Sequence, residues 1–165
     1  MRTMTDDALL RIYLNDHLAG AAGGVALAAR LARSHQGTTE ATPLERLARD
    51  VAADRDSLLA IIGSLGLPRT YYKEAAALAG ERLGRLKLNG SLIKRSPLSS
   101  VVELEVMTVG VTAKRSGWRS LRELSESDAR LDSAQLDELI RRADDQLEVL
   151  EQLRIRAVKA ALMSS

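Results

Sequence analysis

The apolar residues of this chain recur at spacings of three and four along four long stretches. An α-helix turns once every 3.6 residues, so this spacing gathers apolar side chains on one face of a helix. A half-buried β-strand would need apolar and polar residues in alternation, and the sequence has no such alternation. The pattern predicts an all-α fold of long amphipathic helices.

Capping residues predict where the first two helices begin and end. The first helix is expected over residues 5–34, with Thr5 or Asp6 as its N-cap. The second is expected to begin at residues 42–45, Thr-Pro-Leu-Glu, which combine a capping box with proline at the first helical position. It is expected to stop at Gly66, a residue typical of helix C-termini.

Two more long helices and one short helix are expected in the second half of the chain. The long helices are predicted over 96–124, opening with Ser-Pro, and over 132–162, opening with Asp-Ser. The connection 67–95 contains a predicted short helix over 70–86 and an Asn-Gly turn at 89–90. The other two connections are short, whereas this one is long enough to cross a bundle from end to end.

Each long helix has a predicted inward stripe that polar side chains interrupt. The stripes, helix by helix, are Leu10, Leu14, His17, Ala21, Gly24, Ala28, Leu31; Leu44, Leu47, Val51, Asp54, Leu58, Ile61, Leu65; Leu98, Val102, Glu105, Val109, Thr112; and Leu136, Ile140, Ala143, Leu147, Leu150, Arg154, Ala157, Ala161. The spacing is that of a bundle seam. The main interruptions, His17, Asp54, Glu105 and Arg154, are the candidates for a buried polar layer.

Length and composition indicate one domain without strong charge. A chain of 165 residues with 45% hydrophobic residues suits a single domain over 1–165. There is no Phe and one Trp, so mainly Leu, Ala and Val must fill the core. The formal net charge of +2 gives no basic footprint of the strength that nucleic-acid binding needs.

The sequence favours a cytoplasmic location. There is no Cys, which excludes disulfides, thiolate metal sites and thiol nucleophiles. Residues 1–7 carry two acids ahead of any apolar run, and the apolar stretch 18–29 is too short to span a bilayer. We therefore expect neither a signal peptide nor a membrane anchor.

The order of connections, short then long then short, resembles that of ferritin-like bundles. The stretches 13–20, Tyr-Leu-Asn-Asp-His-Leu-Ala-Gly, and 85–90, Arg-Leu-Lys-Leu-Asn-Gly, are similar to those of a group of uncharacterised bacterial ferritin-like proteins. The resemblance implies a ferritin-like four-helix bundle with a short extra helix in the long crossover. It implies no particular activity.

The metal ligands of the best-known ferritin-like proteins are absent. Their di-iron centre uses two Glu-x-x-His pairs. The histidines here are His17 and His35, and the residues three positions earlier are Leu14 and Ala32, so neither pair exists. A carboxylate site for iron, manganese or magnesium remains an alternative. Its candidate ligands are Asp54, Glu105, Glu148 and Glu151.

Asp54, Glu105 and Arg154 are expected at similar heights along the bundle. The preferred interpretation is a buried ion network, Asp54–Arg154–Glu105, because a buried charge without a partner is costly. Arg154 would then occupy the acidic layer and close it to a metal. His17 is expected at a different level, as a hydrogen-bonded core residue.

Two other features each have two interpretations. Gly20, Gly23 and Gly24 on the first helix indicate either close helix approach or space for a ligand. Tyr71, Tyr72 and Trp118 supply nearly all of the aromatic surface, for a homodimer contact or for docking the short helix.

Two groups of cations are expected on the surface. Lys114, Arg115, Arg119 and Arg122 suit the negative end of the third helix dipole. The cations of the long crossover either bind phosphate groups or form a solvated surface. Its cations are Arg82, Arg85, Lys87, Lys94 and Arg95.

Taken together, these features favour a bundle without di-iron ligands that acts by binding or association and needs no cofactor. The first alternative is a carboxylate-ligated metal-binding protein or oxidoreductase of the ferritin-like superfamily. The second is phosphate or nucleic-acid binding through the basic crossover. The small ligand is not predicted, and a homodimer is one expected form of association.

Overall fold

The computed structural model describes residues 6–69 and 96–163, and these contain four α-helices and no strand. The helices are α1 (Asp7–Ser34), α2 (Ala41–Ser64), α3 (Pro97–Leu124) and α4 (Ser133–Leu162). The all-α prediction is confirmed. None of these helices is both long and apolar enough to cross a membrane. The predicted short helix over 70–86 lies outside the described residues.

Side-chain caps set the starts of three helices. Asp6 accepts hydrogen bonds from the backbone N–H groups at the start of α1, Ser96 does the same for α3, and Asp132 for α4. Each cap has extended backbone, which points its side chain at the unpaired N–H groups of the first turn. The predicted starts of these helices are therefore confirmed to within about two residues.

The predicted capping box of α2 is not formed. The helix begins at Ala41, ahead of Thr42, and Glu40 precedes it without a side-chain cap. The turn through Thr38 places Glu40 in the helical conformation already, with φ −84° and ψ −8°. A capping Thr needs extended backbone, so Thr42 lies inside the helix instead.

The four helices form two antiparallel hairpins, α1 with α2 and α3 with α4. Helix α1 also packs on α3 in antiparallel register, since Tyr13 meets Ser120 near one end and Arg30 meets Glu103 near the other. Helices α2 and α4 contact each other less extensively than the other packed helix pairs do. Helices α2 and α3 therefore run parallel, and Ser64 and Pro97 lie at opposite ends of the bundle.

The core is built largely from leucine. Its largest fully buried side chains include Leu14, Leu18, Leu31, Leu44, Ile62, Leu121, Leu136 and Leu150. Trp118 is the large aromatic member and is 3% exposed. The expected use of aliphatic side chains in place of phenylalanine is confirmed.

The predicted inward face of α3 is wrong. Leu98 and Val102 are each 48% exposed and Val109 is 70% exposed. The buried positions of α3 are Val101, Leu104, Met107, Val111, Gly117, Trp118 and Leu121. Both faces have helical spacing, but the second one carries Met107 and Trp118, whose larger apolar surfaces gain more from burial.

Candidate functional site: an interhelical cavity beside a buried ion pair

A half-open cavity of about 430 Å³ lies between α1, α2 and α3. Most of its lining is apolar, with Leu14, Leu58, Met107 and Val111 among the contributing residues. The volume is within the range of small-molecule sites, which are typically about 300 to 1,000 Å³.

Two exposed glycines mark the mouth of the cavity. Gly20 on α1 and Gly110 on α3 both line it and are both solvent-exposed. Within residues 6–69 and 96–163, a Cβ atom built at either position would meet nothing within 4 Å. These glycines therefore leave open space, as one of the two sequence interpretations predicts for the glycine-rich part of α1.

Two other glycines face packed side chains, and one of them is required for close packing. A Cβ at Gly117 would lie only 3.0 Å from His17 Cε1, so the imidazole of α1 occupies the room that this glycine leaves on α3. A Cβ at Gly24 would make ordinary contacts, at 3.8 Å, with Met107 and Val51. Close approach and open space thus occur in the same groove, at different glycines.

A cluster of four polar side chains crosses the bundle beside the cavity. We call Asp54, Lys114, Arg142 and Gln146 the Asp54 cluster. Asp54 is 1% exposed and forms ion pairs with Lys114 and Arg142. Gln146 Nε2 donates to Asp54 Oδ2 at 2.8 Å, and Lys114 Nζ donates to Gln146 Oε1 at 2.5 Å. The cluster joins α2, α3 and α4, and Asp54 and Lys114 also line the cavity.

Burial disfavours the charged form of Lys114. Burial lowers the pKa of Lys114 below its ordinary value, and the neighbouring Asp54 carboxylate only partly opposes this shift. Burial costs a charged ammonium its hydration, which the ion pair replaces in part. Lys114 therefore depends on Asp54 for compensation of its charge, whereas Asp54 has a second cationic partner in Arg142.

His17 packs against Tyr13 at the cavity wall. The two ring centroids are 4.6 Å apart with an edge-on angle of 68°. Burial lowers the pKa of His17, and Asp16 opposes the shift. The neutral imidazole is therefore favoured. The expected hydrogen bond of a core histidine is not formed by His17 within the part of the chain that the structure describes.

Trp118 contributes to the same wall. Its indole Nε1–H is buried and has no hydrogen-bond acceptor among the residues that the structure describes. Buried polar groups are normally paired, so an orphaned donor beside a cavity is informative.

The chain matches no protein-family model, no curated protein and no solved structure.

The structure does not bring the predicted Asp54–Arg154–Glu105 network together. Glu105 is exposed on α3. Arg154 instead forms a bidentate ion pair with Glu151 on its own helix, in which both N–O distances are 2.8 Å. On α4, Asp54 meets Arg142 and Gln146 instead. Arg154 lies eight positions beyond Gln146, about 12 Å further along the helix axis, so it is at a different height from Asp54.

The predicted carboxylate metal site is not assembled either. Glu105, Glu148 and Glu151 are exposed, whereas Asp54 is buried. No group of three or more metal-binding side chains occurs among residues 6–69 and 96–163. The carboxylate of Asp54 is already contacted by two cations.

Sequence reasoning missed three members of the Asp54 cluster. Lys114 was assigned to the helix dipole, although it follows Val111 by three and precedes Trp118 by four on the buried face of α3. Gln146 stands between Ala143 and Leu150 on the buried face of α4 in the same way. The correct choice of inward stripe would have placed both on the seam.

Two sequence predictions fall outside the described residues. These are the basic crossover, Arg82, Arg85, Lys87, Lys94 and Arg95, and the tyrosines Tyr71 and Tyr72. Trp118 is buried, so it does not serve the surface contact that was one interpretation of the aromatic residues.

Proposed function

We propose that this chain is a ferritin-like bundle that binds a small, mainly apolar molecule in the cavity between α1, α2 and α3. The protein acts by binding, in line with the function favoured from the sequence, and needs no metal for it. The observation that carries the proposal is the cavity itself, with its apolar walls and its two open glycines at the mouth.

The glycine positions are the strongest support. Glycine inside a helix costs about 0.5 to 1 kcal/mol relative to alanine. At Gly20 and Gly110 an alanine would fit without contact, so packing does not explain why a glycine stands there. A role in keeping the mouth open explains both positions.

The ferritin-like assignment is supported by the helix directions. In ferritin-like bundles two antiparallel hairpins are joined by one long crossover. Helices α2 and α3 run parallel here, which requires a connection between opposite ends of the bundle. The fold family remains part of this proposal.

The metal alternative is not favoured by the described residues. A di-metal site in a bundle core needs several inward carboxylates, and Asp54 is the one predicted ligand that lies inside. Its two cationic neighbours occupy the positions that a metal would need. The anion-binding alternative rests on the crossover cations and stays a prediction, to be tested by salt-dependent retention on heparin.

Titration with a neutral apolar probe tests the proposal. We expect 1-octanol to bind with a stoichiometry of one by isothermal titration calorimetry. The paired change Gly20→Leu with Gly110→Leu places side chains at the mouth and is expected to abolish binding. Gly63→Leu is the matched control, because Gly63 is an exposed helical glycine away from the cavity. Absence of binding to the wild type, or equal binding by the mouth variant, would refute the proposal.

The exposed face of α3 favours association as a second function. Leu98, Val102, Val106 and Val109 are each between 48% and 70% exposed, which makes an apolar stripe along one helix. A second copy of the chain could cover this stripe by two-fold pairing, because a two-fold contact uses the same surface twice. We propose a homodimer through this face.

Sedimentation equilibrium tests the dimer. The wild type is expected to dimerise, and Val102→Glu with Val109→Glu is expected to be monomeric and folded. Arg119→Glu, also exposed on α3 but away from the stripe, is expected to stay dimeric. A monomeric wild type would rule out this association.

A further inference from the structure

The charges around Lys114 are balanced. Lys114 and Arg142 both contact the buried carboxylate of Asp54. Asp50, one turn before Asp54 on α2, also acts on Lys114 through its charge. Two carboxylates therefore balance two cations, and a ligand with a charge of its own would disturb this balance. The balance favours a neutral ligand.

Lys114 supplies an amine to the cavity lining. It lies one helical turn after Gly110 and one turn before Trp118, and all three residues line the cavity. The side chain of Lys114 is 17% exposed, against 1% for that of Asp54, so the bundle does not seal it completely. A molecule in the cavity therefore lies beside a lysine side chain.

The ammonium of Lys114 has one position left for a ligand. A lysine ammonium has three N–H donors. Asp54 and Gln146 accept two of those of Lys114. No acceptor for the third occurs among residues 6–69 and 96–163, so a new bond to this nitrogen need not displace either partner.

Lys114 can lose its proton without leaving a buried charge unpaired. Burial lowers the pKa of Lys114, although two carboxylates, those of Asp54 and Asp50, oppose the shift. When Lys114 is neutral, Asp54 keeps its ion pair with Arg142. An unprotonated lysine amine in an apolar site is a nucleophile toward carbonyl carbon.

We propose that Lys114 binds an aldehyde with an apolar body as a Schiff base. The neutral amine adds to the aldehyde carbon, and its two protons then leave with the carbonyl oxygen as water, so that a C=N bond replaces the C=O bond. The step needs no oxidant or reductant, and water reverses it. A proton from solvent on the imine nitrogen restores the positive charge beside Asp54 and with it the balance of charges. This inference rests on the proposed binding function and adds the reactive group of the ligand.

Reductive trapping with octanal tests the Schiff base. The full chain is incubated at neutral pH with octanal and sodium cyanoborohydride, which reduces an imine to a stable secondary amine, and peptide mapping by mass spectrometry locates the octyl group. Lys114 is expected to be modified at least about tenfold faster than Lys159, because the cavity holds the aldehyde beside the amine. Lys159 is an exposed lysine of α4 outside the cavity. An excess of 1-octanol should slow the modification of Lys114 and leave that of Lys159 unchanged.

Variants separate the nucleophile from the cavity. Lys114→Arg keeps a positive charge beside Asp54 but forms no imine, so the octyl incorporation that 1-octanol suppresses should disappear while 1-octanol still binds. Gly20→Leu with Gly110→Leu should slow the modification of Lys114 and leave that of Lys159 unchanged. Lys159→Arg is the matched control and should keep the wild-type rate at Lys114.

The outcomes distinguish the Schiff base from the proposed function. Modification of Lys114 no faster than that of Lys159 would overturn the Schiff base, while binding of 1-octanol to the same protein would leave the binding cavity in place. Incorporation that 1-octanol suppresses and that survives in Lys114→Arg would also overturn it. Absence of both 1-octanol binding and fast trapping would overturn both proposals. The wild-type peptide map decides the point if Lys114→Arg does not fold.

Discussion

At the scale of single residues, the glycines of the α1–α3 groove have opposite roles. Gly117 leaves room for the imidazole of His17, whereas Gly20 faces open space. Alanine is favoured over glycine inside a helix by about 1 kcal/mol. Replacing a helical glycine by alanine therefore stabilises the protein only where the added methyl group fits.

A pair of alanine substitutions tests this difference. Gly20→Ala is expected to raise the free energy of unfolding by about 0.5 to 1 kcal/mol, from helix propensity alone. Gly117→Ala is expected to lose that gain or reverse it, because the new Cβ would crowd the His17 ring at 3.0 Å. In a His17→Ala background, Gly117→Ala should recover the gain. Denaturant unfolding measures all four variants, and equal gains at both glycines would show that His17 does not restrict Gly117.

The Asp54 cluster makes a second residue-scale prediction. Asp54→Asn is expected to cost about 3 kcal/mol, because it leaves the partly buried cations Lys114 and Arg142 beside each other without the Asp54 carboxylate. Lys114→Met is expected to cost about 1 to 2 kcal/mol, since Arg142 still neutralises Asp54. The double variant should cost less than the sum of the two, as expected for contacting residues.

Chemical denaturation checks these values, and Glu151→Gln is the control. Glu151 also contacts an arginine, but it is exposed on the surface of α4, and exposed ion pairs contribute little. Its replacement is expected to leave stability within experimental error. Strictly additive losses in the double variant would show that Asp54 and Lys114 do not act together.

His17 makes stability depend on pH. Because burial lowers the pKa of His17 in the folded state, the unfolded chain binds more protons below the ordinary value of 6.5. Acidification from about pH 7.5 to about pH 5.5 should therefore reduce the free energy of unfolding, by no more than about 1.4 kcal/mol per pH unit for this one group.

Unfolding measured across this range should show a smaller loss in His17→Gln than in the wild type. His35→Gln is the matched control, because His35 lies outside the cavity and bonds to the Leu31 carbonyl. Identical pH profiles for the wild type and His17→Gln would contradict the assigned state of His17.

The burial of Asp54 could be predicted from the sequence, but its partners could not. The apolar spacing from Leu44 to Leu65 has one polar position, and this places Asp54 inside α2. Which cation neutralises it depends on the rotation of α3 about its axis and on the height of α4 relative to α2. The sequence pattern does not fix that height, so it does not select Arg142 over Arg154 as the partner.

At the scale of helices, the ends could be predicted better than the faces. Local hydrogen bonds decide the ends, as at Asp6, Ser96 and Asp132, and these caps are visible in sequence. The buried face of α3 is decided by what the other helices present to it. Its two apolar faces have the same period, so periodicity alone does not select Met107 and Trp118 over Val102 and Val109.

One arginine joins the ends of three helices. Arg130, in the turn before α4, donates to Asp128, to Asp7 at the start of α1, and to the backbone carbonyl of Leu65 at the end of α2. Asp128 is buried, so it depends on this partner. The contact holds the loop of the α3–α4 hairpin against the α1–α2 hairpin.

Arg130→Met is expected to lower the free energy of unfolding by about 1 to 2 kcal/mol, the lower part of the range for charged hydrogen bonds because the guanidinium is partly exposed. Amide hydrogen exchange should become faster in the first turn of α1 and the last turn of α2. Arg119→Met, an exposed cation of α3, should change neither. An Arg130→Met variant with wild-type exchange in these turns would show that the contact does not hold them.

At the scale of the whole molecule, the bundle combines a well-filled core with one groove that is left open. Leucines from all four helices fill the interior around Leu18, Leu58, Leu121 and Leu150. The groove between α1 and α3 is different, because its small residues leave a cavity instead of closing it. The sequence shows that α1 has small residues. Which of them face empty space depends on the opposing residues of α3.

The central claim, that this cavity is a binding site, is tested most directly by locating a bound probe. Intermolecular nuclear Overhauser effects between 1-octanol and the protein report which side chains lie beside the alkyl chain. We expect contacts to Met107, Val111 and Trp118, together with their loss in the Gly20→Leu, Gly110→Leu variant. Contacts confined to Val102 and Val109 on the exposed face of α3, or no contacts at all, would contradict it.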